Sequence, residues 1–338
     1  MMRSTFLLRS PRLFFVLLVG LLLGSILLAL NVGKYPLSAS QLWETISCWF
    51  NGQCEGNTEQ TVLWQIRLTR IFAACFIGAA LACAGATYQG MFKNPLVSPD
   101  ILGVSAGAGF GASLAIFYNL PMVYIQLFAF SGGILAVLCV SLIASRSRTQ
   151  DPILVLVLSG IAIGSLLGAG ISLLKILADP FTQLPSITFW LLGSLTAINQ
   201  QDLIQLIPML LLGIIPIFLL RWRLNLLSLD EDEAQTLGVP IKRTRWILIV
   251  FTTLCTASAV AMTGIIGWVG LLVPHIARLL VGANFIRLLP ISLLLGASFL
   301  LLTDTLARTI VPIELPLGIL TSACGAPFFL YLLVRGQK

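Results

Sequence analysis

Charged side chains are so scarce in this chain that each can be weighed on its own. Of 338 residues, 10% are Asp, Glu, Lys or Arg, against 58% apolar. Arg67 and Arg70 stand three apart in QIRLTR, which puts both on one helix face, and Arg308 follows Asp304 by four, the spacing of an intrahelical ion pair. Two readings of these three arginines stand: a set of headgroup anchors, or a basic patch that docks an acidic partner or attracts an anionic ligand. The acids Asp100, Asp151, Asp179, Asp202, Asp304 and Glu314 all fall near the ends of apolar segments. An ion-coupled carrier would instead keep ionisable groups at mid-membrane. The only histidine, His275 in VGLLVPHIAR, has no carboxylate or cysteine beside it, so it makes a poor metal ligand and reads as a structural hydrogen-bonding residue. No metal site is expected.

Other chemistry is missing. There is no G-x-x-x-x-G-K-[ST] for nucleotide phosphates, and no Ser/His/Asp, Asp/Asp or H-E-x-x-H set for hydrolysis. Five of the seven cysteines, Cys75, Cys83, Cys139, Cys255 and Cys324, lie in apolar runs and read as small buried side chains. Cys48 and Cys54 flank WFNGQ, either as a disulfide or as free thiols. The one dense cluster of charge is Ser228–Arg245, SLDEDEAQTLGVPIKRTR, which gathers four acids and three bases between two long apolar segments. Five residues would join two membrane helices, so this length and charge ask for a partner.

The elements that position these groups are read from hydropathy. A mean hydropathy of +0.99 and repeated apolar runs of about 20 residues, the length that crosses a bilayer, define an all-α polytopic membrane protein. About ten spans are expected, near 13–32, 71–91, 101–118, 122–144, 153–176, 203–220, 246–265, 268–281, 288–307 and 316–334, the eighth short enough to be broken or partly re-entrant. The first run follows Arg3, Arg9 and Arg12 and reads as an uncleaved helix. With both termini in the cytoplasm, fifteen of the 20 basic residues fall on the cytoplasmic side, as the positive-inside rule requires. The net charge of +7 thus reflects topology, not nucleic-acid binding. The exceptions are Lys34, Arg67, Arg70, Lys175 and Arg308. Lys34 and Lys175 read as interfacial snorkellers, and Lys175 could pair with Asp179.

Small residues dominate GAALACAGA (78–86), GVSAGAGFGAS (103–113) and GIAIGSLLGAG (160–170), a pattern that lets helix backbones approach closely. The glycines at 103, 107, 109 and 111 also suit a bend lining a cavity. KNPLVSPD (93–100), with two prolines, reads as a compact cytoplasmic turn and a gate candidate. Within Ser228–Arg245, acids open a short helix that stops at Gly238, with Pro240 beyond it.

Several ordered motifs now carry a resemblance: residues 66–108 from IRLTR to SAGA, FWLLGSL (189–195), LGVPIKRTR (237–245), GWVGLLVPHIARLLVG (267–282) and ELPLGILTSACGAPFFLYLL (314–333). From about residue 60 to 335 the chain resembles a FecCD-type permease subunit of type II ABC importers, a family serving iron–siderophores, haem, cobalamin and oxyanions such as molybdate or tungstate. The resemblance implies one transmembrane permease domain over 1–338 in which spans two to five and seven to ten form an inverted repeat. It implies two copies of the chain, two ATPase subunits that hold ATP and Mg, and a periplasmic binding protein, all at a bacterial inner membrane. Residue by residue, Arg67, Arg70 and Arg308 match the docking residues for the binding protein. Leu229, Asp230, Glu231, Glu233, Ala234, Leu237, Gly238 and Val239, within 228–245, match the ATPase-coupling segment. Asn94, Pro95 and Leu96 match a gate, and Gly160, Gly164 and Gly168 lie on a pathway-lining helix. The chain itself is expected to bind no cofactor and catalyse nothing. The cargo reads as a metal chelate of the iron–siderophore or haem type, with cobalamin or an oxyanion as alternatives; a carrier driven by an ion gradient is the rival from another class.

Overall fold

The computed structural model describes residues 11–33, 35, 38–51, 57–147, 152–229, 236 and 240–335. Among them there is no strand. Seven helices are long and apolar enough to cross a membrane: α1 (Pro11–Asn31), α3 (Thr58–Met91), α5 (Met122–Arg146), α6 (Pro152–Leu177), α8 (Gln200–Leu219), α10 (Ile241–Thr263) and α12 (Phe285–Thr309). Three shorter apolar helices, α4 (Val104–Phe117), α11 (Val269–Val281) and α13 (Leu317–Arg335), complete the expected apolar segments. Sequence reading left three more helices unassigned: α2 (Ala39–Asn51), α7 (Gln183–Leu192) and α9 (Arg221–Leu227).

Burial sorts these helices. In α3 and α10, 78% and 72% of the most apolar window is buried, so these two form the centre, whereas α1 and α6 bury only 17% and present apolar surface outward. The small residues explain the centre. Gly78 on α3 and Gly296 on α12 oppose one another so closely that a Cβ on either would strike the other's carbonyl oxygen, and Gly107 on α4 meets Gly132 on α5 in the same reciprocal way. With no side chain between them, backbones make extended van der Waals and Cα–H···O contact, the source of helix association in lipid. The glycines at 107 and 111 therefore pack against α5 backbone and do not line a cavity, which corrects that part of the expectation. Gly103 does mark a break: it is left-handed (φ 77°) between a 3-10 turn, Pro99–Leu102, and α4.

The short helices occupy matching places in two quartets, α3–α6 and α10–α13. Each of α4 and α11 begins inside the bundle after a residue of positive φ, Gly103 at 77° and Trp268 at 70°. The start of α11 meets the 3-10 turn ahead of α4, since a Cβ on Gly270 would lie 2.7 Å from Pro99 Cδ. Broken helices in corresponding halves are the pattern of an inverted repeat. Pro274, inside α11, cannot donate an amide to the Gly270 carbonyl, and that carbonyl faces the bare Cα of Gly85 on α3 instead.

Candidate functional site

The helix α3 carries a polar cluster at each end. Arg70 opens its apolar part and Lys93 lies just beyond Met91. At the Arg70 end, the guanidinium forks onto Asp304 of α12: Nε donates to Oδ1 at 2.9 Å and to Oδ2 at 3.1 Å, and Nη2 lies 2.8 Å from Oδ1. Its Nη1 donates to Glu314 Oε2 at 2.9 Å. Arg308 stands on the other side of Asp304, Nε to Oδ2 at 3.3 Å, the i,i+4 pair expected from spacing. The Thr196 hydroxyl donates to the same Glu314 oxygen at 2.7 Å. Two cations and two anions thus close a cluster joining α3, α12, the connection into α13 and the connection into α8. Arg67 donates to the backbone carbonyls of Leu30 and Tyr35, which ties α3 to the end of α1.

Burial qualifies the expected docking patch. Arg67, Arg70 and Arg308 expose only 3%, 8% and 8% of their surface, so they are not a free basic surface on the chain as folded. The physical reason is that a buried guanidinium must be partnered: Asp304 and Glu314 hold Arg70, Asp304 holds Arg308, and the Leu30 and Tyr35 carbonyls hold Arg67. Two of the three still reach open space. Arg70 lines a cavity of about 420 Å³ with Gln65, Asn199 and Gln200, and Arg308 lines one of about 600 Å³ with Gly33 and Thr309. The anticipated Lys175–Asp179 contact is replaced: Asp179 accepts from the Phe181 amide at 3.0 Å and from the Thr182 amide and hydroxyl, both at 2.8 Å. These donors hold its carboxyl below the usual carboxylate range, the Thr182 hydroxyl contributing most.

At the Lys93 end, the lysine adopts φ 50° and Nζ donates to the Leu229 carbonyl at 2.6 Å. Asn94 folds its side chain onto the Leu96 amide at 2.9 Å, the local bond that makes an Asx-type turn of the predicted gate. Asn94 and Leu96 are exposed and Pro95 half-buried. Asn225 of α9 locks this end to α12, accepting from the Phe285 amide at 2.8 Å and donating to Asn284 at 3.1 Å. Of the coupling residues, Leu229 is described and exposed; Asp230, Glu231, Glu233, Ala234, Leu237, Gly238 and Val239 lie outside the described residues, as do Lys34, Cys54 and residues 148–151. Cys48 is disulfide-bonded, whereas the five cysteines of the apolar segments are free.

The pathway glycines divide. A Cβ on Gly160 would strike the Ile101 carbonyl, so Gly160 is a packing residue, while Gly164 and Gly168 have nothing within 4 Å and leave α6 a bare stripe. His275 was expected to act as a hydrogen-bonding post. Its Nδ1 is buried without a partner among the described residues, one turn from Arg278, whose Nε and Nη2 are also unpartnered, so that role is not met at Nδ1. Sequence reasoning missed Glu314, Thr196 and the Arg70–Asp304 bond, because their partners are far away in the chain.

Residues 21–335 match the FecCD transport family. The chain is 40% identical over 332 residues to the molybdate import system permease protein MolB of Haemophilus influenzae, covering 96% of this chain and 97% of that one. It is 44% identical over 274 residues to an iron chelatin transport system permease protein of Helicobacter pylori, covering 81% and 82%. A solved inward-facing structure described as that of "a putative metal-chelate type ABC transporter" superposes with a TM-score of 0.86 at 38% identity, covering 96% of this chain and 99% of that chain.

Proposed function

The chain belongs to the FecCD transport family and is a multi-pass permease subunit of the type II ABC importer class; from that premise we propose that it carries a metal chelate, of the iron–siderophore or haem type, across a bacterial inner membrane. The likeness to a metal-chelate type transporter over nearly the whole chain carries this reading. The 40% identity to a molybdate permease favours a second one, an oxyanion cargo.

In this proposal residues 1–338 form one transmembrane domain with both termini cytoplasmic, so the Arg70 end faces outward and the Lys93 end inward. Two copies enclose the pathway, with Gly164 and Gly168 of each α6 along it. A periplasmic binding protein docks over the cavities at Arg70 and Arg308. Two ATPase subunits, which hold ATP and Mg, engage the 228–245 segment. Their closure biases the Asn94–Leu96 turn between two states. The permease itself performs no covalent chemistry and holds no cofactor.

Reconstitution separates this from a carrier driven by an ion gradient. The expected result is co-isolation of a P-loop ATPase with the tagged chain, and uptake into proteoliposomes only with that subunit, ATP and the binding protein. Uptake by the chain alone under a proton or sodium gradient would overturn the proposal. Calorimetry of the co-isolated binding protein with ferric siderophore, haemin and molybdate then decides the cargo.

A further inference from the structure

Building on the docking role of Arg70 and Arg308, we propose that Glu314 is a built-in stand-in for the binding protein's carboxylate, and that docking exchanges one acid for the other at Arg70 and so frees two outer loops. Arg70 sits between two unequal acids. Asp304 exposes 1% of its side chain and takes the Nε and Nη2 edge of the guanidinium, whereas Glu314 exposes 26% and holds Nη1 alone. Of the two, only Glu314 can leave without dismantling the bundle. It lies on the connection between α12 and α13, and both of its partners, Arg70 and Thr196, line the cavity of about 420 Å³. An acidic side chain entering that cavity reaches Arg70 directly and competes with Glu314 for Nη1.

Exchange is electrostatically cheap, because the buried guanidinium keeps a carboxylate partner throughout. It has a mechanical consequence, because the Glu314 oxygen that meets Arg70 also accepts the Thr196 hydroxyl at 2.7 Å. The same loop is threaded into the outer end of the bundle. The Ser194 amide donates to the Thr263 carbonyl at 2.7 Å at the end of α10, and the Leu317 amide at the start of α13 donates to the Gly193 carbonyl at 2.9 Å. Ejecting Glu314 therefore loosens residues 194–199 and 310–316 together, next to the extended link into α11. Occupancy by the partner's acid is thereby converted into freedom of the outer connections.

The test uses the assembled transporter in nanodiscs and the co-isolated binding protein, with docking measured by biolayer interferometry over a salt series. Glu314→Gln, which keeps shape and loses charge, is expected to tighten docking about tenfold, within the usual range of coupling between sites. Wild type is expected to show faster amide exchange at 194–199 and 310–316 once the binding protein docks. Should E314Q fail to assemble, Thr196→Val removes only the hydroxyl contact and is expected to tighten docking about threefold on the same coupling scale. Unchanged affinity in the assembled variant, with Arg70→Lys and Arg308→Gln still weakening docking, would make Glu314 a mere staple and overturn the exchange while leaving the docking reading intact. Docking indifferent to R70K, R308Q and salt would remove the docking reading and the exchange with it.

Discussion

Among the described residues, replacing Asp304 by Asn would leave Arg70 and Arg308 inside the protein with Glu314 as the remaining acid of the cluster, which bridges to Arg70 and not to Arg308. Breaking a buried pair by removing one partner costs about 3–5 kcal/mol, most of it the penalty of a stranded charge. Asp304→Asn is therefore expected to lose about that much stability, and Arg308→Met, which gives up one 3.3 Å contact, clearly less. Thermal unfolding in one detergent gives the order; equal losses would show that Asp304 does not balance both cations. Asp179 supplies a pH dependence. Its folded pKa is depressed by Thr182 and Phe181, so its contribution is present above the unfolded value of about 3.9 and is lost as pH falls through the folded one. Protection of the Thr182 amide should decline in acid below about pH 4, and Asp179→Asn should remove that dependence. At this scale legibility follows sequence distance. The Asp304–Arg308 pair could be read because an α-helix fixes i,i+4 neighbours, while Arg70 and Asp304, 234 residues apart, could be joined only by the fold.

Glycines that look alike in the sequence do opposite work once the helices are packed. Gly85 receives the Gly270 carbonyl that Pro274 releases, and a Cβ there would fall on that oxygen. Since backbone must move to make room, Gly85→Ala is expected to cost at least the ~1–3 kcal/mol of an overpacked core, read as a lower unfolding temperature and poorer assembly. Gly168 has open space, so Gly168→Ala should leave stability within about 0.5 kcal/mol, and Gly168→Leu should keep folding yet cut uptake by narrowing the bare stripe on α6. Equal loss of stability in G85A and G168A would contradict this division. The repeats of small residues announced close helix approach but not which glycine meets a backbone, because that depends on crossing geometry. The missed α2 shows the reverse. Leu42, Trp43, Ile46 and Phe50 recur at helical spacing within ASQLWETISCWFN, so an amphipathic helix was readable there, hidden only because a search for long apolar runs passes over it.

Across the whole molecule, α3 places the charge cluster and the Asn94–Leu96 turn at opposite ends of one rod. From Arg70 to Lys93 is 23 steps of ~1.5 Å, about 35 Å, the thickness of the hydrocarbon layer and a little more. The apolar spans made this architecture legible, because length and hydropathy are local properties. The link between the Asn94–Leu96 turn and the 228–245 segment was not, since Lys93 and Leu229 are 136 residues apart and meet only when α9 folds back across the end of α3. That link sits where force from an ATPase would have to enter. The Leu229 carbonyl lies at the start of the segment, and the Lys93 ammonium that holds it is one residue from Asn94. A push on 228–245 would thus reach the Asn94–Leu96 turn through a charged hydrogen bond, worth roughly 1.5–3 kcal/mol, enough to bias a two-state turn by ten- to a hundredfold. Lys93→Met keeps the length and apolar stem of the side chain and removes the donor. Uptake is expected to fall at least tenfold while ATP hydrolysis by the assembled complex persists, so that ATP consumed per cargo rises. Lys93→Arg, which keeps a charged donor, should restore part of the coupling. If K93M lowered uptake and hydrolysis in proportion, the lysine would be serving assembly alone, and the path of force would have to run through the Asn225–Phe285 lock between α9 and α12 instead.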